Sequence, residues 1–452
     1  MKERKPTPTE PDVTPAANSK DVDKQILGLA LPALGALIVE PLMVLADSAM
    51  VGHLGTNPLA GLALGSTIML TIVGLFIFLA YTTTAVASRQ LGAGDEAGAI
   101  RSGVEGIWFA GFLGLLMAPL MWLLAPTVVG WFSPEPAVFI HAVAYVRWGS
   151  PGLLGMFLVL GGTGALRGLL DNRSPMYVSV GGAILNVIFN ATLIYGFDMG
   201  VAGSAAGTSL AQTLMAVALT VLISRGARRH GVSLRPTFHG ARAVGAAGAP
   251  LMARTAALRA AFLLTTWAAT SAGAVPLAGH QITIALWGLG SYGMDALAIA
   301  SQALIGHGLG TGSSERIRQV LRRCLTWGWW IGSAVGVIFL VLSPVLPWLF
   351  TQDQPVFWPT TVALIICGLS QPMTGYVFIL DGVLIGANRT KYLAVAAVIN
   401  LAVYLPFVLL IGWYSAAWGN VWALGALWFA FSFIYTGMRA VTNRYGAKDL
   451  LR

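Results

Sequence analysis

The 452-residue sequence predicts an all-α integral membrane protein of twelve transmembrane helices arranged as two six-helix lobes. Three observations lead there: the composition, the spacing of the apolar runs, and an internal repeat. Apolar residues make up 56% of the chain and charged ones 10%, against about 25% charged in an average soluble domain. Mean hydropathy is +0.74. So few polar side chains cannot cover a water-soluble enzyme, and the same numbers exclude a disordered chain. Cys324 and Cys367 are too few for a disulfide framework or a cysteine-based metal site.

A spanning helix needs about 20 apolar residues, because the hydrocarbon core is about 30 Å thick and a helix rises about 1.5 Å per residue. Residues 1–24 are polar and Pro-rich and read as a cytoplasmic tail. Spans follow at 25–50, 58–87, 103–131, 137–166, 175–196, 201–224, 243–271, 277–307, 320–349, 355–385, 391–412 and 417–438. Turn chemistry separates them at Gly52 to Pro58, at Ser133-Pro134-Glu135-Pro136 and at Thr351 to Pro355. Pro41 removes a backbone donor inside the first span and is expected to kink or loosen it. Trp131, Trp348, Trp413 and Trp418 sit at span ends, as interfacial residues do.

Basic residues orient the chain. Of 27 Lys and Arg, 24 fall in the tail, in the connections that follow even-numbered spans, or at the C-terminal end. Arg147, Arg254 and Arg259 lie inside spans. Positive loops face the cytoplasm, so both termini are expected inside a cell (inner) membrane. The net charge of +9 is then a topology signal, and a nucleic-acid partner is not implied.

At an offset of 218 residues the chain matches itself: Pro58-Leu-Ala-Gly61 recurs as Pro276-Leu-Ala-Gly279, and Leu91-Gly-Ala-Gly94 as Leu309-Gly-Thr-Gly312. Asn186 and Asn400 correspond at an offset of 214. Six spans are an even number, so the halves are parallel repeats. The expected organisation is an N-lobe over 25–224, an Arg-rich cytoplasmic linker over 225–242, a C-lobe over 243–440, and a C-terminal tail over 441–452. Two similar lobes about a cleft suit alternating access.

Ionisable residues inside a membrane are costly and usually functional. Glu40 and Asp47 are seven residues apart on one face of the first span. A low-dielectric interior disfavours the charged form of a carboxyl, which lets such a group take up and release protons near neutral pH; the alternative role is a static clamp between helices. Arg254 and Asp295 lie at equal depth on neighbouring antiparallel spans, which predicts an ion pair acting as a structural clamp or a gate. Arg259 matches Glu40 in depth across the lobes. Asp381 and Asp171, each near an arginine, read as anchors at the cytoplasmic rim, with Arg167 beside them. Arg147 has no evident partner. The histidines lack metal-ligand spacing, and no nucleophile, phosphate-loop or zinc motif appears. No enzyme, metal or cofactor is expected.

The stretch Pro41-Leu-Met-Val-Leu-Ala-Asp-Ser-Ala-Met-Val-Gly-His-Leu-Gly55 resembles the first-helix signature of the multidrug and toxic compound extrusion (MATE) transporters, in their DinF branch. Leu166-Arg-Gly-Leu-Leu-Asp-Asn-Arg-Ser-Pro175, Asn186-Val-Ile-Phe-Asn190, Arg254-Thr255, Gly279-His-Gln-Ile282, Asp295 to Gln302 and Asp381 to Gly386 add to the resemblance, which spans nearly all of 25–440. It implies a V-shaped antiporter exporting organic solutes in exchange for H⁺ or Na⁺. Asp47 matches the acid of the N-lobe cation site, Asn186 the asparagine of helix 5 and Thr208 the threonine of helix 6. Asn190 stands where many relatives carry a second acid. With one fewer negative oxygen, H⁺ is favoured over Na⁺ as coupling ion. Arg254, Arg259, Asp295 and Gln302 are the candidates for the substrate cavity or gate. The expected partners are a small organic, amphipathic substrate and membrane lipid, with the chain a monomer. Alternative cargoes on the same fold are lipid-linked precursors, flipped across the bilayer, or organic acids drawn by Arg147, Arg254 and Arg259.

Overall fold

The computed structural model describes residues 19–236 and 238–451. Among these every regular element is helical. We label the long helices α1 (Ser19–Gly52), α2 (Thr56–Gly92), α3 (Glu96–Gly130), α4 (the pair Pro136–Gly149 and Gly152–Gly168), α5 (Arg173–Gly196), α6 (Gly200–Arg229), α7 (Phe238–Ala272), α8 (Ala274–Thr311), α9 (Ser314–Leu342), α10 (Gln354–Gly386), α11 (Thr390–Tyr414) and α12 (Asn420–Gly446). Ten of them are long and apolar enough to cross a membrane, and eleven when α4, bent by 53° at its break, is counted as one span. The remaining expected span is α7, a 35-residue helix whose interior carries Arg254 and Arg259. The fold is an all-α membrane architecture of two lobes.

The boundaries have local causes. Asp95 caps α3, its Oδ1 accepting from the Gly98 amide at 2.7 Å, and Ser313 caps α9 through the Arg316 amide at 3.3 Å; each satisfies an amide the first turn leaves unpaired. Gly55, Gly273 and Gly419 start helices with φ of 124°, 120° and 76°, a region that a side chain strains. α1 begins at Ser19, earlier than the expected 25, and runs unbroken through Pro32 and Pro41. Between α6 and α7 the non-helical connection is also shorter than expected, since α6 continues to Arg229 and α7 starts at Phe238. Residues 1–18 of the expected tail lie outside the described residues.

Within the first lobe α4 packs on α3 and α6, and α5 on α6; within the second α10 packs on α8 and α9, and α7 on α11. The lobes meet where α8 lies against α1 and the second half of α2. Backbones touch there: a Cβ on Gly92 would lie 2.0 Å from the His307 carbonyl oxygen, and one on Gly310 would lie 2.0 Å from that of Arg89. Such contact requires glycine, because small residues are what let membrane helices approach closely. Asp23 of α1 adds a polar tie, accepting from Arg323 Nε at 2.8 Å and from the Trp327 indole at 3.0 Å on α9. These junctions lie toward the end of the molecule that carries the α2–α3 and α8–α9 connections.

Candidate functional site

The first lobe holds a chain of hydrogen bonds across three helices. Asp47 of α1 is buried at 5% exposure. Asn190 Nδ2 of α5 donates to its Oδ1 at 2.5 Å, Thr208 Oγ1 of α6 donates to its Oδ2 at 3.3 Å, and Asn186 Nδ2 donates to Thr208 Oγ1 at 2.9 Å. The four residues expected to assemble do so. Every donor to Asp47 is neutral, and no arginine or lysine pairs with it among the described residues. Gly207 permits the approach of α5 and α6, since a Cβ there would stand 2.0 Å from Asn190 Oδ1. Just past Asn190, α5 widens into a π-helical turn over Thr192–Gly196, a distortion common at functional sites.

Asp47 faces a cavity of about 160 Å³ that Glu40 also lines. Methionines 43, 69, 156 and 215 supply much of its wall, with Tyr145, Thr208 and Gln212 as polar points. Thioethers are flexible and polarizable and adapt to differently shaped apolar guests. Glu40 is exposed and forms no ion pair with Arg259 among those of the described residues, so the depth match does not become contact. Arg259 reaches across the cleft instead, its Nη2 lying 2.8 Å from where a Cβ on Gly74 would stand.

The second lobe corrects the expected pairing. Arg254 donates to Asp381 Oδ2 at 2.6 Å, not to Asp295. Arg439 of α12 donates to the same oxygen at 2.6 Å, and Asn443 Nδ2 donates to Oδ1 at 2.7 Å. Asp381 is thus no rim anchor: it is 7% exposed and gathers α7 and α12 onto α10. Depth along a helix fixed the level of Arg254 but not its rotation, and it turns to α10. Arg439, assigned by sequence to the basic end, is buried in this cluster; the signal for it is its place directly after the span 417–438. Asp295 forms no hydrogen bond or ion pair with a described residue and lies partly buried on α8. Gln302 is at the lobe junction, donating to the Tyr81 carbonyl at 2.8 Å. Asp171 accepts from the Arg173 and Ser174 amides at 3.1 and 3.0 Å at the start of α5, with Arg167 half-buried in the last turn of α4. Arg147 finds a partner that the sequence hid: its guanidinium lies 5.4 Å from the centre of the Trp122 ring, a cation–π contact.

The repeat explains why the lobes differ. At the offset of 218 the counterpart of Asp47 is Thr265, and at the offset of 214 that of Asn190 is Tyr404. Thr265 Oγ1 and Tyr404 Oη are hydrogen-bonded at 2.8 Å, buried between α7 and α11. The contact between helices survives in the second lobe, with hydroxyls in place of a carboxyl and an amide.

A family model described as MatE matches residues 32–192 and again 250–410, two segments that start 218 residues apart. The chain belongs to the MatE family. It is a transporter and not an enzyme. It is similar to Protein DETOXIFICATION 44, chloroplastic, of Arabidopsis thaliana, at 29% identity over 84% of this chain and 74% of that one. It also resembles the DNA damage-inducible protein F of Escherichia coli (strain K12), at 25% identity over 93% and 91% of the two chains, in keeping with the DinF branch. The fold superposes on the Vibrio cholerae MATE transporter VcmN in its bent form with a TM-score of 0.85, at 22% identity and over 96% of this chain and 98% of that one.

Proposed function

We propose that this MatE protein is a proton-coupled antiporter that exports amphipathic, multidrug-like organic compounds from the cytoplasm by alternating access. The observation that carries the reading is Asp47: a buried carboxyl held by two neutral donors, at the wall of a methionine-lined cavity. As a carboxylate it accepts from Asn190 and Thr208 together. A proton on either oxygen turns that oxygen into a donor, so one of the two bonds must be given up or reversed. Where the bond is given up, protonation loosens α1 from α5 or α6, and in either case it removes the negative charge that draws a cationic guest. Proton and substrate then compete for one group, which is what exchange requires. Glu40, on the same cavity wall, tunes Asp47 or shares its proton.

Relatives named as multidrug resistance proteins, such as the probable NorM of Thermotoga maritima at 24% identity, support this class of cargo. Anionic cargo is disfavoured because Arg254 is committed to Asp381 and Arg147 to Trp122. Na⁺ is the second reading for the coupling ion, favoured by the buried, unpartnered Oδ1 atoms of Asn186 and Asn190. Against it, Asn190 turns its amide nitrogen to Asp47, and no cluster of three or more acidic, histidine or cysteine ligands exists among the described residues. The basic connections support a multi-pass orientation in the inner membrane with both termini cytoplasmic.

The test is transport in proteoliposomes under an imposed pH or Na⁺ gradient. Asp47→Asn keeps the size and most of the hydrogen bonding, so the protein should fold and insert while pH-driven export is lost. Glu40→Gln should reduce export or move its pH optimum. Normal pH-driven export by Asp47→Asn would overturn the assignment, and export driven by Na⁺ alone would overturn the choice of ion.

A further inference from the structure

A second cavity, of about 360 Å³, lies far from Asp47, where the start of α1, the start of α9 and the short C-terminal helical turn come together. Its lining includes Arg318, Arg322 and Arg323 against one acid, Glu315, with Leu450 and Leu451 at its edge. Arg323 is engaged by Asp23 of α1. Arg318 lies 3.4 Å from Glu315. Arg322 is exposed and has no ion pair among the described residues. The cavity therefore carries surplus positive charge.

Its position relative to the bilayer follows from α9 itself. Trp329 and Trp330 are 55% and 67% exposed, and Val337, Ile338 and Val341 continue the same exposed stripe. Arg322 lies seven residues before Trp329, so it shares this outward face one heptad nearer the helix start, about 10 Å along the axis. Exposed tryptophans mark the boundary of the hydrocarbon. The arginine is thereby set just beyond the boundary, at the level of lipid phosphates, with apolar surface below it for the chains.

We propose that this cavity binds the phosphate headgroup of an anionic phospholipid from the cytoplasmic leaflet, with Arg322 as the principal contact and Arg318 assisting. Basic pockets between transmembrane helices at that face recognise such headgroups through charge-assisted hydrogen bonds. Because Asp23 and Val22 belong to the first lobe and α9 to the second, a bound headgroup would bridge the lobes beside the Asp23–Arg323 tie and favour the arrangement seen here.

The test is native mass spectrometry of the full chain taken from nanodiscs of phosphatidylcholine containing a minor fraction of phosphatidylglycerol. The wild-type protein should retain phosphatidylglycerol in excess of its bulk fraction. Arg322→Gln should lower that retention about fivefold, the effect of about 1 kcal/mol for one basic residue near an anionic surface. Arg322→Lys should keep most of it, and Arg228→Gln, an exposed arginine on α6 outside this cavity, should leave it unchanged. Retention at the wild-type level in both Arg322→Gln and the Arg318→Gln/Arg322→Gln pair would overturn the site. Displacement of the lipid by millimolar inorganic phosphate, abolished by Arg322→Gln, would reassign the cavity to a free anion and overturn the lipid. A variant that fails to give a monodisperse peak is replaced by Arg322→Met, which keeps the aliphatic stem.

Discussion

Removing the charge of Asp381 should damage the protein far more than removing that of Arg254, although the two form one buried pair. The asymmetry follows from the cluster. Arg254 and Arg439 each reach Asp381 Oδ2 at 2.6 Å, so their donor nitrogens are no more than twice that distance apart. Two unit charges about 5 Å apart repel by about 3 kcal/mol at an effective dielectric of 20. In the native cluster the carboxylate offsets that repulsion. Asp381→Asn leaves both guanidiniums in place, each 9% exposed, with no counter-charge. Breaking a buried pair in this way costs about 3–5 kcal/mol.

Arg254→Gln does the reverse. It gives up one charge-assisted bond, worth about 1.5–3 kcal/mol, but also ends the Arg–Arg repulsion and leaves Asp381 paired one-to-one with Arg439 and bonded to Asn443. Its net cost should be near zero. The double variant Asp381→Asn/Arg254→Gln should recover part of the loss, with Asp295→Asn as a control that spares the cluster. Unfolding of such proteins in detergent is irreversible, so the readout is the rank order of midpoints in fluorescence-detected size-exclusion after heating. The expected order is wild type close to Arg254→Gln and Asp295→Asn, then the double variant, then Asp381→Asn. Arg254→Gln as harmful as Asp381→Asn would refute the shared-oxygen account. Loss in Asp295→Asn alone would restore the Arg254–Asp295 pairing that depth along the helices predicts.

Gly92→Ala should open the junction between α2 and α8, because a Cβ there would lie 2.0 Å from a backbone oxygen that cannot turn aside; alkylation of Ser88→Cys, at a position with 0% exposure, should rise in that background, and unchanged labelling would show that the contact persists. Gly207→Ala pushes on Asn190, and overpacking of this kind costs about 1–3 kcal/mol, so export should fall with expression retained; full activity would mean that the Asn190–Asp47 bond is dispensable. A cysteine placed in 230–236 should be labelled only from the cytoplasm and one in 133–136 only from outside, while labelling of both from one side would contradict the six-plus-six arrangement.

Element order, the repeat and the first-lobe cluster were legible because each leaves a one-dimensional trace. Apolar runs have the length of a bilayer, the offset of 218 recurs along the chain, and Asp47, Asn186, Asn190 and Thr208 lie on spans where polar residues are costly. Side-chain rotation leaves no such trace. Arg254 could face α8 or α10 from the same level, and only packing decides. Arg439 lies near the end of a helix, where a basic residue is expected in the interface, and its burial depends on α12 leaning over α10. The π-helical segment Ala430–Tyr435 rotates that helix just before it reaches Arg439. The contact of Arg147 with Trp122 was hidden for the same reason, since an aromatic partner adds no charge to search for.

The two lobes together explain why coupling is assigned to one of them. Both keep a buried polar contact at the repeated position, Asp47 with Asn190 in the first and Thr265 with Tyr404 in the second. A hydroxyl pair can hold two helices together, but it neither gains nor loses a proton between pH 5 and 8. The second lobe does contain a carboxylate, yet Asp381 is fixed by two arginines and an asparagine, and protonating it would leave both cations unpaired. Asp47 is free of that penalty because its donors are neutral, so protonation costs at most one hydrogen bond and leaves no buried cation unpaired. On the proposed reading, the same fold element, present twice, serves as a fixed joint on one side and as a titratable one on the other. On this argument, replacing Thr265 by Ala should lower stability while leaving the dependence of export on pH unchanged, whereas Asp47→Asn should abolish that dependence while leaving stability nearly intact. Proteoliposome flux across a series of pH gradients, measured beside thermal midpoints for both variants, separates the two roles; a pH profile altered by Thr265→Ala would mean that the second lobe takes part in coupling.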